Sequence, residues 1–344
     1  MRPLYISPTG RGGVDFGIQN ITRAVRRHGA PRAELLQLPE LYNFAPMRIP
    51  HGLPRHWYDG FDITQGRSRV GFALRAPGRP LVTTVHHLTT DPALQPYSSL
   101  QQRIFYRLVE SRYDGWSIRD ADAVVCVSRY TQRQVAQIYG RTDTVLIFDG
   151  IDTDVFMPTP GMLRADLLPA SDARIRLLFV GNRTRRKGFA LLPAIMDALP
   201  PDYVCYYTGG YQGKETAPPH PRMIPIGSPD RAGLVAAYQS CDILLFPSRL
   251  EGFGIAAAEA LACARPVVTT DCGALPEVVD DGQNGFLVPR NDVVGYAARV
   301  RELGEDAALR RRFGEHGRDK IVDSFGYDQL GQGFVQLYAR LLGR

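Results

Sequence analysis

The most informative chemical motif is a glycine-bearing turn framed by two acidic residues, Glu251 and Glu259. Gly252 and Gly254 allow a sharp turn before an alanine-rich helix pattern, so free backbone N–H groups stand at the start of that helix. Such a helix start binds anions, because its unpaired donors and the positive end of its dipole suit a phosphate group. The two carboxylates are acceptors for sugar hydroxyl groups. A capped helix with two solvated glutamates is the alternative for this segment taken alone.

A second turn, residues 180–188, concentrates positive charge between two glycines. Its cations are Arg183, Arg185, Arg186 and Lys187. Arginine offers a planar fork of donors and lysine a compact charge, so the turn suits a diphosphate. A solvated loop is the alternative, but two anion-binding turns in one half of the chain favour a shared ligand site.

Glycine also marks the turn after the first apolar run. The glycines there are Gly10, Gly12, Gly13 and Gly17. A dinucleotide fingerprint requires Gly-x-Gly-x-x-Gly, and counting from Gly10 its last position falls on Asp15. The mismatch argues against an NAD(P) site. A loop that approaches a bound phosphate and a plain strand-to-helix turn both stay open.

Two histidines, His86 and His87, stand directly after another apolar run. A histidine at the carboxyl end of a strand can hydrogen-bond a substrate, and it changes charge near neutral pH. Successive strand side chains point to opposite faces, so at most one of the two serves such a site. A purely structural histidine is the alternative.

A metal site is not expected from the sequence. Asp152 and Asp154 form an Asp-x-Asp pair of the kind that holds Mn²⁺ or Mg²⁺ in single-domain sugar transferases, but a helix-starting turn explains this pair better. The five cysteines show no Cys-x-x-Cys spacing, and three of them lie in apolar runs. Buried free thiols in a reducing compartment therefore fit them better than metal ligands or disulfides.

Charge and hydropathy exclude several classes of protein. The formal charge is +6, but the basic residues lie in separate clusters without an aromatic-interleaved basic motif, so nucleic acid is not an expected partner. A basic helix at residues 18–27 is a candidate for docking on anionic lipid, with a solvated helix face as the alternative. No apolar run approaches the ~20 residues that span a bilayer, and the start lacks a signal-peptide pattern. A cytoplasmic location is expected.

The elements that position these residues alternate between short apolar runs and helical patterns. Six candidate strands fall in residues 4–148 and six in residues 175–288. This alternation predicts an α/β protein with two Rossmann-like, doubly wound domains, whose strand ends face a shared cleft. The expected domains are residues 1–158 and 159–326, with a proline-rich break at residues 157–174. An amphipathic helix in residues 327–344 is expected to pack back on the N-terminal domain.

Residues 177–289 closely resemble the retaining glycosyltransferase family 4, whose fold is called GT-B. The resemblance runs through Lys187-Gly188, Tyr238-x3-Asp242, Pro247-Ser248, the Glu251-x7-Glu259 segment and Gly273-Ala-Leu-Pro-Glu277. The first domain is similar more weakly, at Gly12-Gly13, at Val85-His86 and in residues 149–158. The spacing of the two glutamates is the most specific part of the resemblance.

The resemblance implies a role for each charged residue of the second domain. Lys187, with Arg183 or Arg186, would bind the diphosphate and stabilise its charge as it leaves. Glu251 would bind the transferred sugar and Glu259 the ribose hydroxyls. The first domain would bind the acceptor and the second domain the nucleotide sugar.

The resemblance also implies a set of donor contacts through the backbone. The N–H groups of Phe253, Gly254 and Ile255 would hold the phosphate and the sugar, and Gly13 would approach the donor from the first domain. His86 matches the position of a histidine near the donor sugar and the acceptor.

Three positions depart from the usual pattern of the family. Asn182 stands where arginine is common, which leaves open whether Arg183 or Arg186 is the main phosphate-binding arginine. Asp149 stands where asparagine is common, and Ala264 where glycine is common. None of these changes affects the two glutamates or the lysine, so activity is expected.

The function implied is a metal-independent, retaining glycosyltransferase without a cofactor. Its partners would be a nucleotide-sugar donor, with UDP favoured over GDP, and a saccharide, lipid-linked or small-molecule acceptor, with a peripheral membrane contact as a further expectation. Two alternatives stay open. One is a disaccharide phosphorylase or synthase of the same fold, and the other is a catalytically silent relative that only binds a nucleotide.

Overall fold

The computed structural model describes residues 1–8, 13–54, 56–158, 174–209 and 218–344, with side chains from residue 17 onward in the first helix. The chain forms two compact units. The first comprises Met1–Gly150 and Phe325–Arg344, and the second comprises Ile151–Ser324. The sequence-based boundaries after residues 158 and 326 lie a few residues further along the chain. Most of the break expected at residues 157–174 lies outside the described residues.

Each unit contains a parallel sheet. In the first unit the strands are β1 Pro3–Pro8, β2 Glu34–Leu38, β3 Ile63–Arg67, β4 Leu81–Val85, β5 Ala123–Cys126 and β6 Val145–Leu146, in the order β2-β1-β3-β4-β5-β6. In the second unit they are β7 Ile175–Phe179, β8 Tyr203–Tyr207, β9 Met223–Pro225, β10 Ile243–Phe246, β11 Val267–Thr270 and β12 Gly285–Val288, in the order β12-β11-β10-β7-β8-β9. The prediction of two Rossmann-like sheets is confirmed.

Helices connect and cover the strands. They are α1 Gly13–Arg27, α2 Ile49–Gly52, α3 Leu100–Phe105, α4 Ser111–Asp120, α5 Arg129–Tyr139, α6 Leu192–Asp197, α7 Arg231–Ser240, α8 Ile255–Ala262, α9 Leu275–Val278, α10 Val293–Glu305, α11 Ala307–Ser324 and α12 Tyr327–Leu341. A π-helical segment, Tyr106–Glu110, joins α3 to α4. Short 3-10 turns span Glu40–Asn43, Pro46–Arg48, Gly71–Leu74, Pro92–Tyr97 and Phe189–Leu191.

The strands form where continuous apolar or β-branched runs are buried on both faces. Every residue of β4, β10 and β11 is buried, as expected for parallel strands covered by helices. In the second unit α6 and α10 pack on one face of the sheet, in a core with Phe179, Leu245 and Phe313. These cores hold the strand ends in place.

The last helix belongs to the first unit. Leu330, Phe334 and Leu337 of α12 pack in the core that contains Tyr5, and α12 lies along α1. The hydroxyls of Tyr338 and Tyr5 are 2.6 Å apart, and Tyr338 also donates to a buried glutamine of β3. Apolar packing and buried hydrogen bonds therefore tie α12 to this sheet. None of the helices in the described part of the chain is both long and apolar enough to cross a membrane.

Candidate active site

Two loops of the second unit leave its sheet at the same edge, because they follow neighbouring parallel strands. Residues 180–188, the basic turn, follow β7, and residues 247–254 follow β10, which pairs with β7. The strand order reverses at this place, since β7 has β8 on one side and β10 on the other. Ligands of open α/β sheets bind beyond the carboxyl ends of the strands at such a point.

The basic turn is fixed against the loop after β10. Gly188 has φ +71°, and a Cβ there would collide with the carbonyl oxygen of Pro247. The N–H of Arg249 donates to the carbonyl oxygen of Arg186 at 2.8 Å. Arg186 Nη1 in turn donates to the carbonyl oxygen of Leu250 at 2.9 Å. These contacts hold the cations of the turn beside the second loop.

A buried ion pair between Lys187 and Glu251 lies at the centre of this arrangement. Lys187 Nζ is 2.6 Å from Glu251 Oε1, and the two side chains are 16% and 9% exposed. Ser248 Oγ donates to the same carboxylate oxygen, and Arg186 Nη1 lies 3.6 Å from it. Lys187 Nζ also lies 4.9 Å from the centre of the Phe246 ring. The structure therefore brings three of the predicted site residues together around one oxygen.

Burial and charge act in opposite directions on this pair. Burial raises the pKa of Glu251, but the charges of Lys187 and Arg186, with the hydrogen bonds to the carboxylate, outweigh burial and hold the pKa below its usual value. Burial lowers the pKa of Lys187, and Glu251 offsets only part of that effect while Arg186 adds to it. A bound anion would favour the charged form of the lysine.

A third loop fixes the backbone of Glu251. Gly273, which follows β11, has φ +57°, and a Cβ there would collide with the carbonyl oxygen of Glu251. The N–H of Ala274 donates to the same carbonyl oxygen at 3.0 Å, and Cys272 Sγ lies 3.2 Å from the carbonyl oxygen of Ser248. From the sequence alone, these residues have no predicted role in the site. In the sequence they are marked by a glycine shortly after a strand and by the Gly273-Ala-Leu-Pro-Glu277 part of the family resemblance.

Glu259 lies in the second turn of α8, and its carboxylate reaches α7. Tyr238 Oη donates to Glu259 Oε2 at 2.9 Å, and both side chains are buried. Burial raises the pKa of Glu259 to about 7. The hydrogen bond from Tyr238 and the charges of Arg231 and Lys187 lower this pKa, but burial has the larger effect. The same lysine thus acts on both glutamates of the motif.

The start of α8 carries the three residues predicted to bind the donor through their backbone. Gly254 precedes the helix with φ +107°, and a Cβ there would lie 2.8 Å from Leu275. No side chain among the described residues caps this helix, although a side-chain oxygen usually satisfies one of the first N–H groups. Phe253 is buried and Ile255 is half-buried. An uncapped helix start of this kind suits an anion.

His86 lies in the first unit, directly after β4, and it is buried. Its Nδ1 is 3.2 Å from Asp149 Oδ2, whereas its buried Nε2 has no hydrogen-bond partner within the part of the chain that the structure describes. A Cβ on Gly17 of α1 would lie 2.7 Å from the imidazole. The ring is therefore held by a carboxylate on one side and by a glycine on another. His87 is half-buried.

The remaining predicted residues are placed as follows. Gly13 is the first residue of α1, and the rest of the glycine turn before it lies outside the described residues. Arg183 is a half-buried residue of the basic turn, and its charge acts on the hydroxyl of Tyr207. Asp152 is buried and lies 2.9 Å from Arg231 in an ion pair. Among residues 1–8, 13–54, 56–158, 174–209 and 218–344, no group of three His, Cys, Asp or Glu is arranged to hold a metal ion.

Known proteins match both halves of the chain. Residues 4–155 match the family described as Glycosyltransferase Family 4, and residues 167–320 match the family described as Glycosyl transferases group 1. The alpha-maltose-1-phosphate synthase of Mycolicibacterium smegmatis is 30% identical over 295 residues, which cover 77% of this chain and 74% of that protein. The chain belongs to glycosyltransferase family 4. The family predicted from the sequence is thereby confirmed.

Solved structures show that this family 4 glycosyltransferase has the GT-B fold. Sucrose-phosphate synthase from Thermosynechococcus elongatus is similar with a TM-score of 0.85 at 21% identity, over 99% of each chain. Anabaena HepE, solved in complex with UDP and glucose, is similar with a TM-score of 0.78 at 18% identity, over 98% of this chain and 99% of its own. The glycosyltransferase therefore carries its charged loops on a fold in which each unit is a Rossmann-like sheet.

Proposed function

We propose that this glycosyltransferase transfers a sugar, with retention of configuration, from a UDP-sugar to a hydroxyl of a saccharide or lipid-linked acceptor. The observation that carries the proposal is the cluster of Arg186, Lys187, Ser248 and Glu251 beside the uncapped start of α8. Two cations and a helix start suit a diphosphate. The complex of HepE with UDP and glucose supports the choice of base.

Lys187 and Arg186 each keep N–H donors that are available to bind a leaving diphosphate. Lys187 uses one of its three N–H donors on Glu251, and Arg186 uses one of its five on Leu250. Both charges are fixed by the packing of the basic turn before substrate binds, so they stabilise the developing charge without reorganisation. In the proposed reaction these side chains supply the positive charge that a divalent metal supplies elsewhere, and Arg183 adds to it.

The two glutamates bind the donor at different groups. Glu251 accepts its bonds from Lys187 and Ser248 on Oε1, so Oε2 is the oxygen proposed to accept from a hydroxyl of the transferred sugar. Glu259 is proposed to accept from the ribose hydroxyls. Its pKa of about 7 means that a large fraction is protonated at neutral pH, and hydroxyl donors favour its ionised form.

His86 is proposed to bind a substrate hydroxyl. If Nδ1–H donates to Asp149, then Nε2 carries the lone pair and is the acceptor. Retention would follow from attack of the acceptor on the face that the diphosphate leaves, with the leaving phosphate taking the acceptor's proton. The protein's part is to orient both substrates and to hold charge in place.

The test is a thermal-shift series with UDP, GDP, ADP and their glucose conjugates, in buffer with EDTA. Ligand at 100 times its Kd stabilises the folded state by about 2.7 kcal/mol. A shift with UDP compounds alone supports the proposed donor. A shift with another base corrects the base, and a shift that appears only when Mg²⁺ replaces EDTA overturns metal independence. No shift with any of them overturns the proposed donor site.

A further inference from the structure

Large apolar side chains are exposed in two segments of the first unit. Single exposed apolar residues are normal, but six of the twelve in the described part of the chain fall in residues 41–47 and 100–108. They are Leu41 at 62%, Phe44 at 63%, Met47 at 50%, Leu100 at 65%, Ile104 at 51% and Leu108 at 53% exposure. Together they form what is called here the apolar surface. Contiguous patches of this kind mark contacts with a partner or a membrane.

The two segments lie side by side. Tyr113, in the helix that continues from the second segment, donates its hydroxyl to Met47 Sδ at 3.7 Å. Arg67 donates to Asn43 at the centre of the first segment, and Arg69, two residues further on, donates to Glu110 at the end of the second. The same short stretch after β3 therefore anchors both segments.

In the second segment the exposed residues form one stripe. Leu100, Ile104 and Leu108 are spaced four residues apart along α3 and the π-helical segment. The π-helical turn is wider than an α-turn, which keeps residues four apart nearly in line. Glu110 and Asp114, the first two acidic residues after this stripe, are both buried, so they place no negative charge beside it.

The exposed charges around the apolar surface are almost all positive. They are Arg48, Arg103, Arg107 and Arg112, against Glu40 as the one exposed acidic residue of residues 40–54 and 99–112 within the part of the chain that the structure describes. Exposed apolar side chains flanked by arginines fit a surface that is apolar below and anionic above. A protein partner would require a shape that matches the apolar surface.

We infer that the apolar surface docks this enzyme on an anionic lipid bilayer, with the six side chains below the headgroups and the arginines among them. The inference does not depend on which donor or acceptor the enzyme uses. The basic helix α1 fits such a role less well, because Arg26 Nε donates to the carbonyl oxygen of Ala33 at 2.7 Å and Arg27 stacks on Tyr327 at 5.3 Å. None of the exposed large apolar residues lies on the described side chains of α1.

The test is sedimentation of the full chain with vesicles of phosphatidylcholine alone or with an equal part of phosphatidylglycerol. The wild-type protein should bind the anionic vesicles and not the neutral ones at physiological salt. Arg103→Gln with Arg107→Gln should lower the partition coefficient about 30-fold, since each arginine contributes roughly fivefold near an anionic surface. Ile104→Ser with Leu108→Ser should lower it about tenfold or more.

Two control variants separate this surface from the others. Arg23→Gln with Arg27→Gln removes two positive charges from α1 and should leave vesicle binding within about twofold of the wild type. Val294→Ser removes an exposed apolar residue, 76% exposed, from the second unit and should also bind normally. Thermal midpoints and donor binding equal to those of the wild type show that each variant is folded.

The inference is overturned by absent binding to anionic vesicles, by normal binding of the Ile104/Leu108 variant, or by loss of binding in the α1 variant instead. Light scattering by the protein in solution measures its mass and so tests the alternative that the partner is a second copy of the chain. If the Ile104/Leu108 variant changes the mass of a self-associated species while vesicle binding is unchanged, the surface is an interface between copies of the chain.

Discussion

The hydroxyl of Tyr238 donates to Oε2 of Glu259 across 2.9 Å, and the two residues are on different helices, α7 and α8. This bond stabilises the ionised form of a carboxylate whose burial raises its pKa to about 7. The proposed ribose contact needs the same ionised form. Donor affinity should therefore increase as the pH rises through about 7.

Tyr238→Phe should shift the midpoint of this pH dependence of donor affinity to a higher pH. Loss of a hydrogen bond to a charged group costs about 2 kcal/mol, so donor affinity at pH 7 should fall roughly tenfold and its midpoint should shift toward higher pH. The measurement is the Kd for the donor from pH 5.5 to 9. Tyr296→Phe is the matched control, because it removes a buried tyrosine hydroxyl whose hydrogen-bond partner is the hydroxyl of Thr270 at 2.6 Å and not a carboxylate. An unchanged midpoint in Tyr238→Phe contradicts the expectation.

Glu259→Gln tests the raised pKa through stability. The pKa of Glu259 is higher in the folded state than the usual value of 4.5 for a glutamate, so the folded protein binds more protons between about pH 4.5 and pH 7. Stability from this group is fully present below pH 4.5 and is lost as the pH rises through 7. Between pH 4.5 and pH 7, the free energy of unfolding of the variant should rise by about 3 kcal/mol relative to that of the wild type. Urea unfolding at several pH values measures it, and parallel curves would falsify the assignment.

Lys187→Ala should chiefly lower turnover. The variant loses the cation closest to the proposed leaving group, and removal of one such fixed donor typically costs 10²- to 10³-fold in kcat. The donor Kd should change less, because Arg186 and the start of α8 are unaltered. Lys320→Ala is the matched control, since Lys320 makes an ion pair of 2.7 Å with Asp280. Equal turnover in the two variants argues against a role for Lys187 in the reaction.

The sheets could be predicted from the sequence because their strands are continuous buried runs. The continuous apolar runs at residues 243–246 and 285–288 have the same bounds as β10 and β12. The first residues of the helices are harder to predict from the sequence. The apolar pattern of this helix begins only at Leu234, but α7 begins at Arg231 because Asp230 caps it by accepting from the N–H of Gly233. The change from α-helical to π-helical turns at residues 106–110 leaves no periodic signal in the sequence either.

The site could be predicted where one short segment carries the chemistry. Glu251, Glu259 and Lys187 were identified from local spacing, and the structure brings Lys187 to Glu251. The partners of these residues are set by tertiary contacts instead. Ser248 lies only three residues before Glu251, whereas Gly273 and Tyr238 reach Glu251 and Glu259 only when the loop after β11 and helix α7 pack against them. Local spacing in the sequence therefore does not indicate these last two contacts.

Gly188→Ala should disrupt the basic turn. Its φ of +71° disfavours any side chain, and a Cβ would collide with the carbonyl oxygen of Pro247. Strain and collision together should lower the free energy of unfolding by about 3 kcal/mol and weaken donor binding. Gly282→Ala is the control, because Gly282 has φ +72° and no atom of the described residues lies within 4 Å of a Cβ there. It should cost only about 1 kcal/mol and leave donor binding unchanged. Similar losses in both variants contradict a specific role for the contact with Pro247.

Asp149 offers a test of His86 that leaves the donor loops untouched. If the carboxylate only orients the imidazole, Asp149→Asn keeps an acceptor for Nδ1–H and should reduce turnover by no more than about threefold, whereas Asp149→Ala should reduce it roughly 10- to 100-fold. Donor affinity should stay close to the wild-type value in both. Steady-state kinetics and donor titration separate the two effects. If Asp149→Ala retains full turnover, or if Asp149→Asn loses as much as Asp149→Ala, the carboxylate does not act by orienting His86.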